Sequence, residues 1–107
     1  MPRKEKKKQS YIKIVDERFT ISRKRGGGAI KIEAWEDHKG IIVKYNIAYI
    51  NHDLYQKDNG RVIGYDNAHD YHHKHYFGEI LPVEDFESYE NIVERFENEI
   101  KEYIKWA

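Results

Sequence analysis

The chain has 107 residues, of which 39% are apolar and 36% charged, a balance that fits one small domain with a single modest core. It contains no cysteine, which excludes disulfide frameworks, zinc ribbons and thiol catalysis and argues against an oxidising compartment. No apolar run is long enough to span a membrane, and the basic N-terminus lacks the apolar segment of a signal peptide. We therefore expect a cytoplasmic protein without a membrane partner.

The formal net charge of zero conceals an asymmetry along the chain. Residues 1–31 contain 11 Lys and Arg against 3 Asp and Glu, whereas the rest of the chain contains 8 against 16. Such asymmetry is typical of a protein with a charged partner such as nucleic acid, but a solvated basic tail beside an acidic helix explains it equally well. Residues 1–9 are expected to form a disordered basic tail, and residues 10–107 a single α+β domain.

The first folded segment combines strand and loop signals. Apolar residues between Ser10 and Ile21 predict one or two short strands, with Asp16-Glu17 as the candidate turn. Residues 22–28, read SRKRGGG, predict a flexible basic loop, because three consecutive glycines disfavour regular structure. This loop could close over an RNA phosphate backbone or could be a solvated connector. Its candidate substrate-binding residues are Arg23, Lys24 and Arg25.

A first hairpin is predicted around Lys39-Gly40. The alternation of apolar residues fixes its register and leaves one face consistently apolar. The expected apolar pairs are Ile30 with Tyr49, Ile32 with Ile47, and Ala34 with Tyr45.

A second hairpin is predicted around Asn59-Gly60, the favoured pair for a type I′ turn. Its register would place Leu54 opposite Tyr65 and Gln56 opposite Ile63. Because this apolar set has the opposite parity from the first hairpin, we expect a β-bulge within residues 51–53.

The last elements are a strand over residues 71–80 and a helix over residues 86–105. The helix is predicted by an apolar stripe at helical spacing that begins at Phe86 and reaches Ile104. The fold class is therefore α+β: an antiparallel β-meander of about five strands packed by one long C-terminal helix.

Four of the six histidines fall within seven residues, in the segment RVIGYDNAHDYHHKHYFG that spans residues 61–78. Titratable residues replace the expected strand alternation there, and sequence rules tend to fail at functional sites. An extended strand would turn His73 and His75 to one face and His72 and Lys74 to the other. The candidate catalytic residues are Asp66, Asn67, His69, His73, Lys74 and His75, and Arg61 and His72 are candidate substrate ligands.

Three interpretations of this cluster remain open. Two imidazoles could act as base and acid in metal-independent RNA cleavage, with Lys74 or Arg61 stabilising the charge on phosphorus and Asp66 orienting one histidine. No cofactor is then required. Alternatively, His73 and His75 could bind a divalent metal together with His69 or Asp66, or the histidines could be exposed side chains without chemistry.

The segment YDNAHDYHHKH, residues 65–75, resembles the TumE-like toxins of type II toxin–antitoxin systems, and a weaker likeness extends over residues 30–105. The resemblance implies a small prokaryotic toxin that acts on RNA and is neutralised by a cognate antitoxin protein. Arg61, Asp66 and Asn67, with the block at residues 72–75, would carry over. In that family a longer, proline-containing segment separates Asp-Asn from His-His-Lys-His, where this chain has only residues 68–71.

The leading hypothesis is thus an RNA-directed, toxin-like nuclease that uses the histidine cluster. A non-catalytic module that binds a metal or a phosphate is the second hypothesis. A small interaction protein is the third, since nine tyrosines supply contact surface for an antitoxin or for a second copy in a homodimer.

Overall fold

The computed structural model describes residues 10–105, so the expected tail at residues 1–9 lies outside the described residues. Six antiparallel strands run in sequence order across one sheet, and a single α-helix follows them. The α+β meander predicted from the sequence is confirmed, with one strand more than expected. The elements are β1 (Ile12–Thr20), β2 (Ala29–Glu36), β3 (Ile42–Ile50), β4 (Arg61–Asp66), β5 (His73–Tyr76), β6 (Glu79–Pro82) and α1 (Tyr89–Glu99).

The additional strand arises because the segment predicted as one strand over residues 71–80 is folded back on itself. Phe77 (φ 46°) and Gly78 (φ 86°) both adopt left-handed backbone conformations and form the tight turn between β5 and β6. Phe77 is held there by packing edge-on against Tyr55 and Tyr103. The turn shortens β5 to four residues, so the last two predicted strand positions belong to β6.

The first hairpin has the predicted register. β2 pairs with β3 so that Ile30, Ile32 and Ala34 lie opposite Tyr49, Ile47 and Tyr45. These residues belong to the core between the sheet and α1. We call the opposite side of the sheet the distal face; across β1, β2 and β3 it carries mainly polar and charged residues.

The predicted second hairpin is wrong in register. Tyr65 pairs with Ile47 and Ile63 with Tyr49, because β3 ends at Ile50 and residues 51–60 form a loop rather than a strand. Asn59 (φ 56°) does take the left-handed conformation that its turn signal indicated, but it does so at the end of this loop. The expected bulge within residues 51–53 is also absent from the described structure. The register shift lies in β4 instead. Ile50 pairs with Arg61 and Tyr49 pairs with Ile63, so Val62 is the extra residue between the two pairs.

The segment before β2 differs from the prediction in two respects. β1 is one strand that continues through Asp16-Glu17, so the candidate turn there is wrong. The loop over residues 22–28 contains a 3₁₀ turn, Arg23–Arg25, and is fixed to the body of the protein. The buried side chain of Asn51 donates to the carbonyl of Gly26 (3.1 Å) and Tyr49 Oη donates to Gly27 (2.9 Å).

The C-terminal helix is shorter than the predicted 86–105. α1 begins after Ser88, whose Oγ accepts the backbone N–H of Asn91 at 3.0 Å, an N-cap that satisfies one of the free donors of the first turn. It ends at Glu99 and continues as a 3₁₀ turn, Ile100–Glu102. Ile92, Phe96 and Ile100 are buried against the sheet. Within residues 10–105, no helix has the length and apolar character needed to cross a membrane.

Candidate active site on the distal face

The sheet register places a buried cluster of polar side chains on the distal face of β4 and β5. Asp66 pairs with His73, and Gly64 pairs with His75. Asp66, His73 and His75 are 8%, 5% and 6% exposed, which sets them among the few buried polar residues of the described chain. Buried titratable groups require hydrogen-bond partners, so the contacts within this cluster define its chemistry.

The carboxylate of Asp66 accepts a hydrogen bond from His75 and lies in close contact with His73. Its Oδ1 lies 2.8 Å from Nε2 of His73 and its Oδ2 lies 3.0 Å from Nε2 of His75. The backbone N–H of Ala68 also donates to Oδ1, at 3.0 Å. A carboxylate offers only acceptors, so the imidazole of His75 must present an N–H at Nε2. Asp66 therefore fixes the tautomer and the orientation of the His75 ring.

Arg61 brings a positive charge to the same carboxylate. Its Nη1 lies 3.5 Å from Oδ2 of Asp66, while its Nε and Nη2 are held by Asp58 at 2.9 and 3.1 Å. The side chain runs over Gly64, where an added Cβ would come within 3.0 Å of the Arg61 Cδ atom. Gly64 thus leaves the room that Arg61 needs to reach the cluster.

His75 is the ring best suited to act as a base. Burial lowers its pKa below the ordinary value of 6.5, and the charge of Arg61 lowers it further, against the opposing effect of Asp66. The ring is therefore neutral at neutral pH, with its proton on Nε2 toward Asp66. Among residues 10–105, Nδ1 of His75 has no hydrogen-bond partner, and the only fully buried side-chain atom without one is Asn46 Oδ1. Nδ1 of His75 therefore keeps a lone pair in contact with solvent.

His73 has a different environment. Its Nε2 faces Asp66 and its Nδ1 lies 3.1 Å from the carbonyl oxygen of Tyr71, so both nitrogens point at acceptors. The ring packs against Tyr71 and meets His75 edge-on, with centroids 4.6 and 4.9 Å apart. Because neither nitrogen is free, His73 is placed to hold Asp66 and His75 rather than to contact a substrate.

The structure separates Lys74 and His72 from this cluster, as the alternation predicted. Lys74 lies on the helix side, where its Nζ contacts Glu99 Oε2 at 2.7 Å and lies over the Tyr65 and Tyr76 rings. His72 stacks on Phe86 with centroids 3.5 Å apart, and its Nδ1 meets the hydroxyl of Tyr45 at 2.8 Å.

Two further predicted site residues lie outside the cluster. The side chain of Asn67 bridges to β3, accepting from the N–H of Tyr45 (3.1 Å) and donating to the carbonyl of Val43 (2.9 Å), which is a structural contact. His69 is exposed in the 3₁₀ turn Ala68–Asp70, with a left-handed backbone (φ 62°). His52, which the predicted hairpin would have placed opposite Asn67, instead lies against Gly60 at the other end of β4.

The basic loop also lies at the opposite end of the sheet from Asp66. Arg23, Lys24 and Arg25 precede the start of β2, which pairs with the end of β3. All three are exposed. They make no contact with the histidine cluster, and any role in binding substrate would be at a distance from it.

Sequence reasoning missed three contributors to the site. Asp58 fixes Arg61, Tyr71 packs on His73, and Asn46 pairs with Asp66 across β3 and β4. The correct β3–β4 register would have revealed Asn46, because it puts the two residues side by side. Nothing in the sequence indicates Asp58 or Tyr71.

The ligand atoms of Asp66, His73 and His75 lie within 4.8 Å of one another, a spacing that a metal ion could bridge. The sequence offered His69 or Asp66 as the third ligand beside His73 and His75, and the structure groups Asp66 with the pair. Arg61 makes metal binding less favourable, because a guanidinium beside Asp66 reduces the attraction of the cluster for a divalent cation.

Fold and site together define a small α+β protein with a buried Asp-His-His cluster on one face of an antiparallel meander. The family model described as Toxin TumE matches residues 4–104, which is almost the whole chain. The chain belongs to this toxin family. Neither the curated proteins nor the solved structures contain a match.

Proposed function

We propose that this member of the toxin family is an endoribonuclease that cleaves RNA without a metal, with His75 as the general base. The observation that carries the proposal is the contact between Asp66 and His75. A carboxylate that holds one imidazole nitrogen and leaves the other free is the arrangement that makes histidine an oriented base. The lowered pKa of His75 keeps the ring in its basic form at neutral pH.

The chemistry follows from the free nitrogen. Nδ1 of His75 takes the proton of a ribose 2′-hydroxyl, the 2′ oxygen bonds to the adjacent phosphorus, and the bond from phosphorus to the 5′ oxygen breaks. The electron pair leaves on the 5′ oxygen, which takes a proton from the imidazolium just formed or from water. The products are a 2′,3′-cyclic phosphate and a 5′-hydroxyl, and no water is consumed in this step.

Arg61 and His73 would support this step in different ways. The guanidinium of Arg61 is the positive charge nearest to the cluster, so it is placed to stabilise negative charge that develops on the phosphate oxygens. His73 is a positioning residue, because it holds Asp66 through Oδ1 while Oδ2 remains directed at His75. Asp66 likewise acts through His75.

Purified protein tests the proposal directly. Single-stranded RNA is incubated in EDTA with the wild type, with His75→Ala, and with His38→Ala as the matched control, since His38 is exposed in the β2–β3 turn. Cleavage by the wild type and by His38→Ala, but not by His75→Ala, is expected. Intact RNA with the wild type, both with and without divalent metal, would reject the proposal.

A metal-binding module is the second candidate function, supported by the 4.8 Å grouping of Asp66, His73 and His75. Elemental analysis of the purified protein separates the two candidates. The metal-binding module would be favoured if the wild type holds about one metal ion per chain and His73→Ala holds none. Metal-free protein that cleaves RNA would exclude the module.

Family membership also implies a protein partner of the antitoxin kind, and we propose that the product of a neighbouring gene fills this role. Inducible expression with and without that gene is the test. Growth arrest that the neighbour relieves supports the toxin–antitoxin pairing, and size-exclusion chromatography with light scattering reports whether the chain alone is a homodimer. Absence of any growth effect would contradict the pairing.

A further inference from the structure

One row of the distal face joins the candidate active site to the far edge of the sheet. His75 pairs with Gly64, Gly64 with Ala48, Ala48 with Lys31, and Lys31 with Arg18. Residues paired in this way project to the same face. Between His75 and Lys31 the row contains only glycine and alanine, and the side chain of Arg61 runs over the glycine. The far end of the row is formed by two long cationic side chains.

The pair at the end of the row is electrostatically unfavourable as it stands. Arg18 and Lys31 lie directly opposite each other on β1 and β2, and like charges in that relation destabilise a sheet. Within residues 10–105, Arg18 has no ion pair. The carboxylate nearest to Lys31 is Glu33, 3.8 Å away, and Lys13 already holds it at 2.7 Å. A bound anion between the two side chains would remove this repulsion.

A cavity of about 320 Å³ lies beside Arg18. Arg18, Thr20 and Arg23 lie in its lining, as does Asp53, and Gly27 and Gly28 form part of its wall. Gly28 has a left-handed backbone, and a side chain there would overlap the carbonyl oxygen of Ile50. Because Asn51 and Tyr49 fix the glycine loop, this polar wall is formed before any ligand arrives.

We infer that Arg18, Lys31 and Arg23 form a phosphate-binding subsite for the RNA strand whose cleaved phosphate lies at His75. The inference rests on the proposed function and extends it to the path of the substrate. Strand spacing places Lys31 about 14 Å and Arg18 about 19 Å from His75 along the row. The subsite therefore binds a phosphate beyond the one that is cleaved, and between the two the strand passes over the Arg61 side chain, which covers Gly64.

Binding is measured separately from cleavage, in the His75→Ala background. Fluorescence anisotropy gives the affinity for a single-stranded RNA long enough to cross the sheet, over a range of salt concentrations. Arg18→Gln and Lys31→Gln should each lower the affinity several-fold and reduce the slope of log K against log salt by about 0.7, the value for one lost phosphate contact. Lys39→Gln in the β2–β3 turn and Lys101→Gln beside α1 are the matched controls. Equal losses in the controls, or no loss in the two row variants, would overturn the inference.

A length series distinguishes this inference from the proposed function. If Arg18 acts only at a distant phosphate, Arg18→Gln raises KM for long RNA but leaves dinucleotide cleavage unchanged. If wild type and Arg18→Gln cleave both lengths of RNA with equal KM, the subsite is rejected and the proposed nuclease function stands. If the wild type binds RNA with the predicted salt slope but does not cleave it, the nuclease function is rejected and the subsite stands. Arg18→Gln also removes the like-charge contact, so its melting temperature should equal or exceed that of the wild type and exclude misfolding as the cause.

Discussion

Oδ2 of Asp66 lies 3.0 Å from Nε2 of His75, although the two residues are not partners in the β4–β5 register. The direct partner of Asp66 is His73, and the direct partner of His75 is Gly64. Diagonal neighbours on adjacent strands lie within reach of long side chains. One carboxylate can therefore hydrogen-bond to His75 while it stays in contact with its direct partner His73.

Replacing Asp66 by Asn tests this shared carboxylate. An amide keeps only one acceptor oxygen, so either the imidazole N–H of His75 or the backbone N–H of Ala68 loses its partner inside the protein. We expect the rate of RNA cleavage to fall by about 10²-fold or more and the free energy of unfolding to fall by about 1–3 kcal/mol. Cleavage assays and urea denaturation measure the two effects. Asp85→Asn is the control on an exposed aspartate; a change in cleavage as large as that of Asp66→Asn would contradict the assignment.

Gly64→Ala tests the room left for Arg61. The added methyl group would meet the Ile47 carbonyl oxygen at 2.8 Å and the Arg61 side chain at 3.0 Å, so the guanidinium must move away from Asp66. We expect a loss of cleavage similar to that of Arg61→Gln, together with a lower melting temperature. If Gly64→Ala cleaves RNA at the wild-type rate while Arg61→Gln does not, Gly64 has no part in positioning Arg61.

Stability should fall in mild acid because two histidines, the half-buried His72 and the buried His75, resist protonation. Burial lowers the pKa of His72 and of His75 from 6.5, with the charges of His73 and Arg61 as the respective secondary causes. The folded state therefore favours the neutral rings, and their contribution to stability is complete above pH 6.5 and is lost as pH falls through the lowered pKa. Melting temperatures near pH 7 and pH 5 measure the loss. The difference in melting temperature between pH 7 and pH 5 should be smaller for His75→Gln than for the wild type. A difference equal to that of the wild type would contradict the assignment of the effect to His75.

Lys74 should contribute to stability and not to cleavage. Its ammonium group pairs with Glu99, which also accepts the Tyr65 hydroxyl at 2.7 Å, and both charged side chains are partly exposed. Lys74→Gln should therefore cost only about 0.5 kcal/mol of unfolding free energy and leave the cleavage rate unchanged. His69→Ala, at an exposed turn, should likewise cleave normally. If the cleavage rate of either variant falls by about tenfold or more, that residue takes part in cleavage and this prediction is wrong.

The sequence correctly predicted the faces of His72, His73 and His75, but not which residues the turn would bring to the cluster. Strand alternation depends only on backbone geometry, so the separation of His73 and His75 from His72 and Lys74 could be predicted from spacing. Asn67 and His69 lie outside the cluster because their positions depend on the turn after β4, where side-chain hydrogen bonds to β3 and a left-handed backbone decide the path. Neither feature has a periodic signal.

The two hairpins show where register can and cannot be predicted. In the first hairpin, the apolar alternation and the position of the turn predict the same register, and both lead to the observed pairing of Ile32 with Ile47. In the second, Asn59-Gly60 carries a strong local turn signal, but β3 ends before it and a loop intervenes. The pairing of Tyr65 with Ile47 is instead set by burial against α1. Tertiary packing overrode the local turn, and the predicted bulge was a consequence of the wrong register.

The chemistry of the RNA ends tests the central claim most directly. Single-stranded RNA is cleaved in EDTA by the wild type and by Asp66→Asn, and the new termini are identified by mass spectrometry. The account predicts 2′,3′-cyclic phosphate and 5′-hydroxyl ends with the wild type, and the same ends at a far lower rate with Asp66→Asn. Products with 5′-phosphate ends, or cleavage that appears only when a divalent metal is added, would contradict His75 as a metal-independent base.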